Sequence, residues 1–156
     1  MAPEMLKRTK DGKRITYDTK VDWWSYGCLV YEFTTGYSPF RTPEARKMDA
    51  QPIKAFNKAT LKMEVKFPED KFDADTKDFC KKLLTRNPKH RLGAKSPEEI
   101  MEHPYFKDIN WSMVKADLAA PPFVPSKDIN AASQDDIGQF SSVQSSQGSG
   151  ISHVRQ

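Results

Sequence analysis

Asp22-Trp23-Trp24-Ser25-Tyr26-Gly27-Cys28-Leu29-Val30-Tyr31-Glu32 is the stretch on which the fold turns. Val21, Trp23, Trp24, Cys28, Leu29, Val30 and Phe33 cover more than one face of a 3.6-residue repeat. That distribution predicts a helix over 21–36 that is buried nearly all round. Asp18 or Asp22 stands where a carboxylate can accept the first free N–H groups of that helix. Gly36, with Pro39 after it, suits the stop. Ser25, Gly27 and Glu32 interrupt the apolar run, which is too short and too polar to cross a bilayer.

Working outward, Asp11-Gly12 marks a turn inside the polar stretch KRTKDGKRITYD. On the other side, a polar insertion containing Pro43 and Pro52 separates the first helix from FNKATLKMEVKFPEDKF. Residues 74–84 then read as an amphipathic helix with Phe79, Cys80, Leu83 and Leu84 on one face. Asp73 or Asp75 is its expected N-cap, and Asn87-Pro88 its end. Ser96-Pro97-Glu98-Glu99 reads as a further helix start, with Ser96 the cap, Pro97 the first helical residue and an acid three residues on. That short helix closes at His103-Pro104, and Tyr105 and Phe106 are expected to drop into a core. Strand signals are few, so the expected class is mainly α.

Composition narrows the function classes. The chain has 156 residues, one domain's worth, of which 37% are hydrophobic and 29% charged. Its net charge is +4; residues 126–156 carry −1 and the rest +5, with acids interleaved among the bases. No one-sided basic stripe or reader motif for nucleic acid is visible, so a nucleic-acid partner is not expected. A basic face meeting acidic lipid headgroups or acidic peptides stays open beside plain solvated surface. Cys28 and Cys80 sit in apolar stretches without CxxC or His/Cys spacing, which predicts free thiols, no metal and a reducing, cytoplasmic location. The first fifteen residues contain no apolar signal core.

Four landmarks follow one another in order: Ala2-Pro3-Glu4; Asp22-Trp23-Trp24-Ser25-Tyr26-Gly27 with Tyr31-Glu32, Gly36 and Pro39-Phe40; Arg91-Leu92-Gly93 after Asn87-Pro88; and His103-Pro104-Tyr105-Phe106. Together they resemble the second half of the large lobe of a eukaryotic Ser/Thr protein kinase, from the APE triplet onward. DWWSYGCLVYE, HRLG, EHPYF and PPFVP are similar to the AGC group. The runs 108–114, 128–132 and 136–140 look like the tail of the G-protein-coupled receptor kinases, in the beta-adrenergic receptor kinase branch. The resemblance covers residues 1 to about 140, interrupted by insertions at 10–15 and 42–51. It implies a partial kinase domain over 1–106, an AGC-type tail over 107–140 and a disordered serine-rich end over 141–156, where six serines fall in 141–152.

The resemblance also assigns roles. It pairs Glu4 with Arg91 in a buried bridge, has Asp22 hold the catalytic loop, and makes Trp24 and Gly27 core residues. In the tail it implies that Pro122 and Pro125, a PxxP pair, pack on the small lobe, with an SH3 ligand as the alternative. It places Ile137 and Phe140 near the nucleotide. With no catalytic loop in the chain, an N-cap is the role left to Asp22. Ser141, Ser142, Ser145, Ser146 and Ser149 are phosphorylation candidates or simply solvated.

Phosphoryl transfer needs a glycine-rich loop, a strand lysine paired to a helix glutamate, a catalytic-loop aspartate and asparagine, and a Mg²⁺-holding DFG aspartate. None of these occurs; His90-Arg91 is followed by Leu92 where the catalytic motif has aspartate. The expectation is therefore a catalytically silent piece of a longer receptor-kinase-like enzyme, begun at the methionine before APE. ATP and Mg²⁺ belong to the full-length kinase, and the missing N-lobe and protein substrates, receptors among them, are the partners. A non-catalytic binding or scaffold protein is the alternative.

Overall fold

The computed structural model describes residues 1–124. Its longest element is the helix anticipated from the DWWSYG stretch, α2, Lys20–Thr35. It ends where Gly36 takes φ 82°, a left-handed conformation that glycine adopts without the steric cost other residues meet, and donates its N–H to Glu32 O at 2.7 Å. At its start the two candidate carboxylates part ways. Thr19 occupies the cap position without a side-chain bond, while Asp18 Oδ1 accepts the Lys20 N–H at 3.1 Å. Asp22 lies inside the first turn, exposed and with no side-chain bond, so it is not the cap. A carboxylate there still meets the positive end of the helix. The helix is also not buried all round: Trp24, Gly27, Val30 and Tyr31 are buried, whereas Leu29 is 44% and Phe33 81% exposed.

Around it lie α1, Pro3–Leu6; α3, Pro43–Arg46; α4, Pro52–Lys62; α5, Ala74–Leu83; α6, Glu98–Met101; a 3-10 turn at Pro104–Phe106; and α7, Trp111–Lys115. The described residues contain no sheet; a lone antiparallel bridge joins Arg8 and Arg14. The short α3 falls in the polar stretch taken for an insertion, capped by Thr42 Oγ1, which accepts the Ala45 N–H at 3.2 Å.

The packing axis is α2 against α5. Asp73 caps α5 by accepting from Thr76 N–H at 2.9 Å, so that the apolar face of Phe79, Cys80 and Leu83 turns inward and is fully buried. Gly27 is what lets the two helices close: a Cβ there would stand 2.8 Å from Leu83 Cβ. The space is used by Cys80, whose Sγ donates to Gly27 O at 3.4 Å. Burying a side chain the size of Phe79 contributes about 1.5–3 kcal/mol. Tyr31 extends the core by donating its hydroxyl to Lys66 O at 2.8 Å and meeting Phe67 and Phe72 with ring centroids 5.8 and 5.5 Å away.

The last helices are tied on by aromatic and polar contacts. Tyr105 stacks on Phe79 at 4.5 Å and 4°, but is itself exposed at its outer face; Phe106 is the half-buried one. The helix start at 96–99 is shifted by one residue. Pro97 precedes the first helical residue, and Ser96 does not cap the backbone. Glu99 Oε2 instead accepts the N–H groups of Gly93 and Lys95 at 3.1 and 3.2 Å, bracing the loop upstream.

Candidate functional site

Arg91 follows α5 in a loop, and its side chain is drawn wholly inside, with 0% exposure. Four acceptors receive it. Nη1 donates to Glu4 Oε1 at 2.8 Å and to Lys20 O at 2.6 Å, Nη2 to Glu4 Oε2 at 2.9 Å, and Nε to Thr85 O at 3.0 Å. The parallel pair to Glu4 is the fork geometry that only a guanidinium supplies. The guanidinium carbon lies 5.2 Å from the Trp24 ring centre, and Trp24 in turn stacks on Phe40 at 5.4 Å and 11°. One residue thus joins α1, the start of α2, the end of α5 and the Trp24–Phe40 stack.

Local sequence explains why each partner arrives there. Pro3 at the first turn of α1 starts the helix, and Glu4 beside it turns inward. Lys20 opens α2, and the second lone pair of its carbonyl is turned toward Arg91. Gly93, two residues past Arg91, takes φ 81° and lies so close to Trp23 that a Cβ would sit 2.7 Å from Trp23 Nε1. The loop can therefore turn back only with glycine there.

Burial pushes the Glu4 carboxyl up. The bonds from Arg91 and the backbone, with the Arg91 charge, outweigh that and hold it below the usual carboxylate range. Both thiols are pushed up by burial, Cys28 to about 11 and Cys80 to about 12. Neither has the lowered pKa of a reactive cysteine.

Two polar arrangements were not anticipated. Arg86 Nε donates to Thr60 O at 3.0 Å and its Nη2 to Met63 O, so this half-buried arginine satisfies the carbonyl end of α4. Its identity as a base was visible in the sequence, but nothing local links it to a helix end more than twenty residues earlier. His103 is buried; its Nδ1 accepts the Tyr105 N–H at 3.2 Å, and its Nε2 lies 3.0 Å from Asp78 Oδ2. Asp78 also pairs with Lys82 at 2.6 Å; the bond from Lys82 first, and that from His103 with it, hold its carboxyl below the usual range against the opposing effect of burial.

No glycine-rich loop occurs, and among the described residues no three His, Cys, Asp or Glu side chains group to hold a metal ion. What the arrangement can do is hold: it fixes the segment carrying Glu4 against α2 and α5. Of the other anticipated residues, Trp24 and Gly27 lie in this core, Asp22 stands outside it, Pro122 is exposed, and Pro125, Ile137 and Phe140 lie outside the described residues.

A helical lobe built on a long central helix, with an APE glutamate locked to an arginine beyond it, defines a class, and comparison with known proteins names it. The family described as Protein kinase domain matches residues 1–106, and the chain belongs to that family. Within it the chain is of the AGC, receptor-kinase-like kind. It is 36% identical over 143 residues to G protein-coupled receptor kinase 2 of Caenorhabditis elegans, covering 90% of this chain and 19% of that protein. It is 38% identical over 144 residues to rhodopsin kinase grk7a of Danio rerio, covering 92% and 25%. Serine/threonine-protein kinase SCH9 of Candida albicans is 38% identical over 141 residues, covering 90% and 16%. The chain spans a quarter or less of the length of these curated relatives.

Proposed function

We propose that this chain is the substrate-side portion of a Ser/Thr protein kinase, and that the whole protein transfers the γ-phosphoryl group of ATP, with Mg²⁺, to serine or threonine of proteins in the cytoplasm. The observation that carries this is the Glu4–Arg91 lock, set in a chain whose residues 1–106 match the protein kinase domain. In that reading the nucleotide and metal are held by residues of an N-lobe and catalytic loop, and this chain supplies none of them. Its part is to anchor the end of the activation segment so that a peptide meets a rigid surface. Residues 107–140 act as the AGC-type tail, and Pro122, Pro125, Ile137 and Phe140 are its docking residues on the small lobe. Receptors are the favoured substrates, because two of the relatives above are named as receptor or rhodopsin kinases.

A second reading is a non-catalytic binding lobe. The complete core and lock within 1–106 favour it, since they need no nucleotide site to form.

The test is to isolate the endogenous protein with an antibody against residues 126–156 and assay phosphoryl transfer to a serine-bearing receptor peptide. The 156-residue chain is assayed alongside. Transfer by the isolated protein and none by the chain alone supports the first reading. No transfer by either, with the peptide still captured, overturns it in favour of the binding lobe.

A further inference from the structure

Between the Arg91 lock and α2 the chain makes an exposed hairpin. Gly12 N–H donates to Thr9 O at 3.0 Å and Thr9 N–H to Lys13 O at 2.9 Å, with Gly12 at φ 75°. This is a three-residue turn closed by a left-handed glycine. Arg8 and Arg14 face each other across it. Lys7, Arg8, Lys10, Lys13 and Arg14 oppose a single acid, Asp11, and every residue from 7 to 19 is exposed. None of the five joins a salt bridge among the described residues.

This concentration does nothing for the fold. Like charges opposite one another in a ladder repel, and the hairpin carries no buried side chain whose packing offsets that. The interleaving of bases and acids along the sequence therefore hides a local excess that the turn gathers into one protrusion. Beside the cations stand Ile15 and Tyr17, 37% and 55% exposed.

We propose that the hairpin, residues 7–17, is an attachment surface for an anionic lipid bilayer. The cations attract headgroup phosphates and carboxylates over a Debye length without any shape fit. Ile15 and Tyr17 offer an apolar and an amphipathic side chain to the headgroup boundary. An acidic peptide would need a groove with buried anchors to be held in one register, and a protrusion with every residue exposed has no floor for one. A planar sheet of charge asks only for reach and sign. The inference is independent of phosphoryl transfer and stands or falls on the hairpin alone.

Flotation of the 156-residue chain with vesicles tests it, because aggregated protein does not float. With phosphatidylcholine vesicles containing about a third phosphatidylserine, the chain is expected to float at about 0.05 M salt and to lose at least about tenfold in binding by about 0.5 M. Pure phosphatidylcholine is expected not to carry it. Neutralising Lys10→Gln, Lys13→Gln and Arg14→Gln together should weaken binding about a hundredfold, roughly fivefold per charge. The same loss of charge elsewhere, at the exposed Lys62, Lys81 and Lys89, should weaken it by less than about fivefold. Circular dichroism melts of both variants establish that they fold.

Absence of flotation by the unaltered chain at low salt overturns the proposal. So does equal flotation of the hairpin variant, or an equal loss from the remote variant, which would make net charge the cause. If soluble polyglutamate binds the unaltered chain through the hairpin while vesicles do not, an acidic polypeptide is the partner and the lipid reading falls.

Discussion

Glu4 and Arg8 are four residues apart, and the chain treats their charges in opposite ways. Glu4 is buried, bonded through both oxygens to a guanidinium whose three nitrogens each donate to an acceptor. Arg8 is exposed, donates to the nearby Gly12 O at 3.1 Å, and faces another arginine. In the first case charge is an internal joint whose loss strands its partner. In the second it is surface, worth little to stability and available to a partner outside. The same side-chain chemistry is therefore structural or free according to whether water can reach it.

The sharpest way to break the contrast is Arg91→Met. It removes the guanidinium, strands the Glu4 carboxylate inside and takes a donor from Thr85 O and Lys20 O. The expected loss is about 5 kcal/mol or more in urea unfolding, since a stranded buried partner alone costs about 3–5 kcal/mol. Glu4→Ala should cost somewhat less, about 3–5 kcal/mol, because Arg91 keeps two carbonyls. A melt unchanged by either substitution would mean that the lock does not hold the lobe together.

Gly27→Ala probes the neighbouring helix contact without touching charge. Its added methyl meets Leu83 Cβ at 2.8 Å, so overpacking should cost about 1–3 kcal/mol by the same unfolding measurement. Acid provides a milder test. Glu4 and Asp78 titrate lower in the folded chain than their unfolded values of 4.5 and 3.8. Below those values the unfolded chain binds more protons, so the stability these groups contribute is present above them and is lost as pH falls through the folded pKa values. Glu4→Gln should flatten that acid limb, which a series of thermal melts between about pH 5 and 2 would show. The smallest effect is expected at the hairpin. Lys10→Gln should shift the melting temperature by no more than about 2 °C, because exposed substitutions away from structural features scarcely alter stability.

The one helix that sequence and structure share most closely, α2, also shows where reading a chain stops. Its ending was legible, because Gly36 acts through its own backbone. The cap of α5 was legible for the same reason: Asp73 reaches only three residues on, to Thr76. At the start of α2 the choice between Asp18 and Asp22 stayed open, and Ser96 was taken for a cap it does not make while Glu99 bonds the loop before it. In both places several carboxylates stood within a turn of the helix start, and only the incoming backbone decides which one bonds. Leu29 and Phe33 read as core, since hydrophobicity reports what a residue tolerates and not what lies against it.

By itself, then, the sequence determined the locally closed features of this protein: a long central helix, its glycine stop, the Asp-capped helix after it, and, through the order of four motifs, the kinase family. The Glu4–Arg91 pair came through that family likeness and not through spacing, because 87 residues separate its members. Tertiary structure alone decided which face of α2 is bare, that Arg86 closes the end of α4, and that His103 bonds Asp78. Capping and turns are settled by bonds a few residues long, whereas burial and long-range pairing depend on which elements pack together.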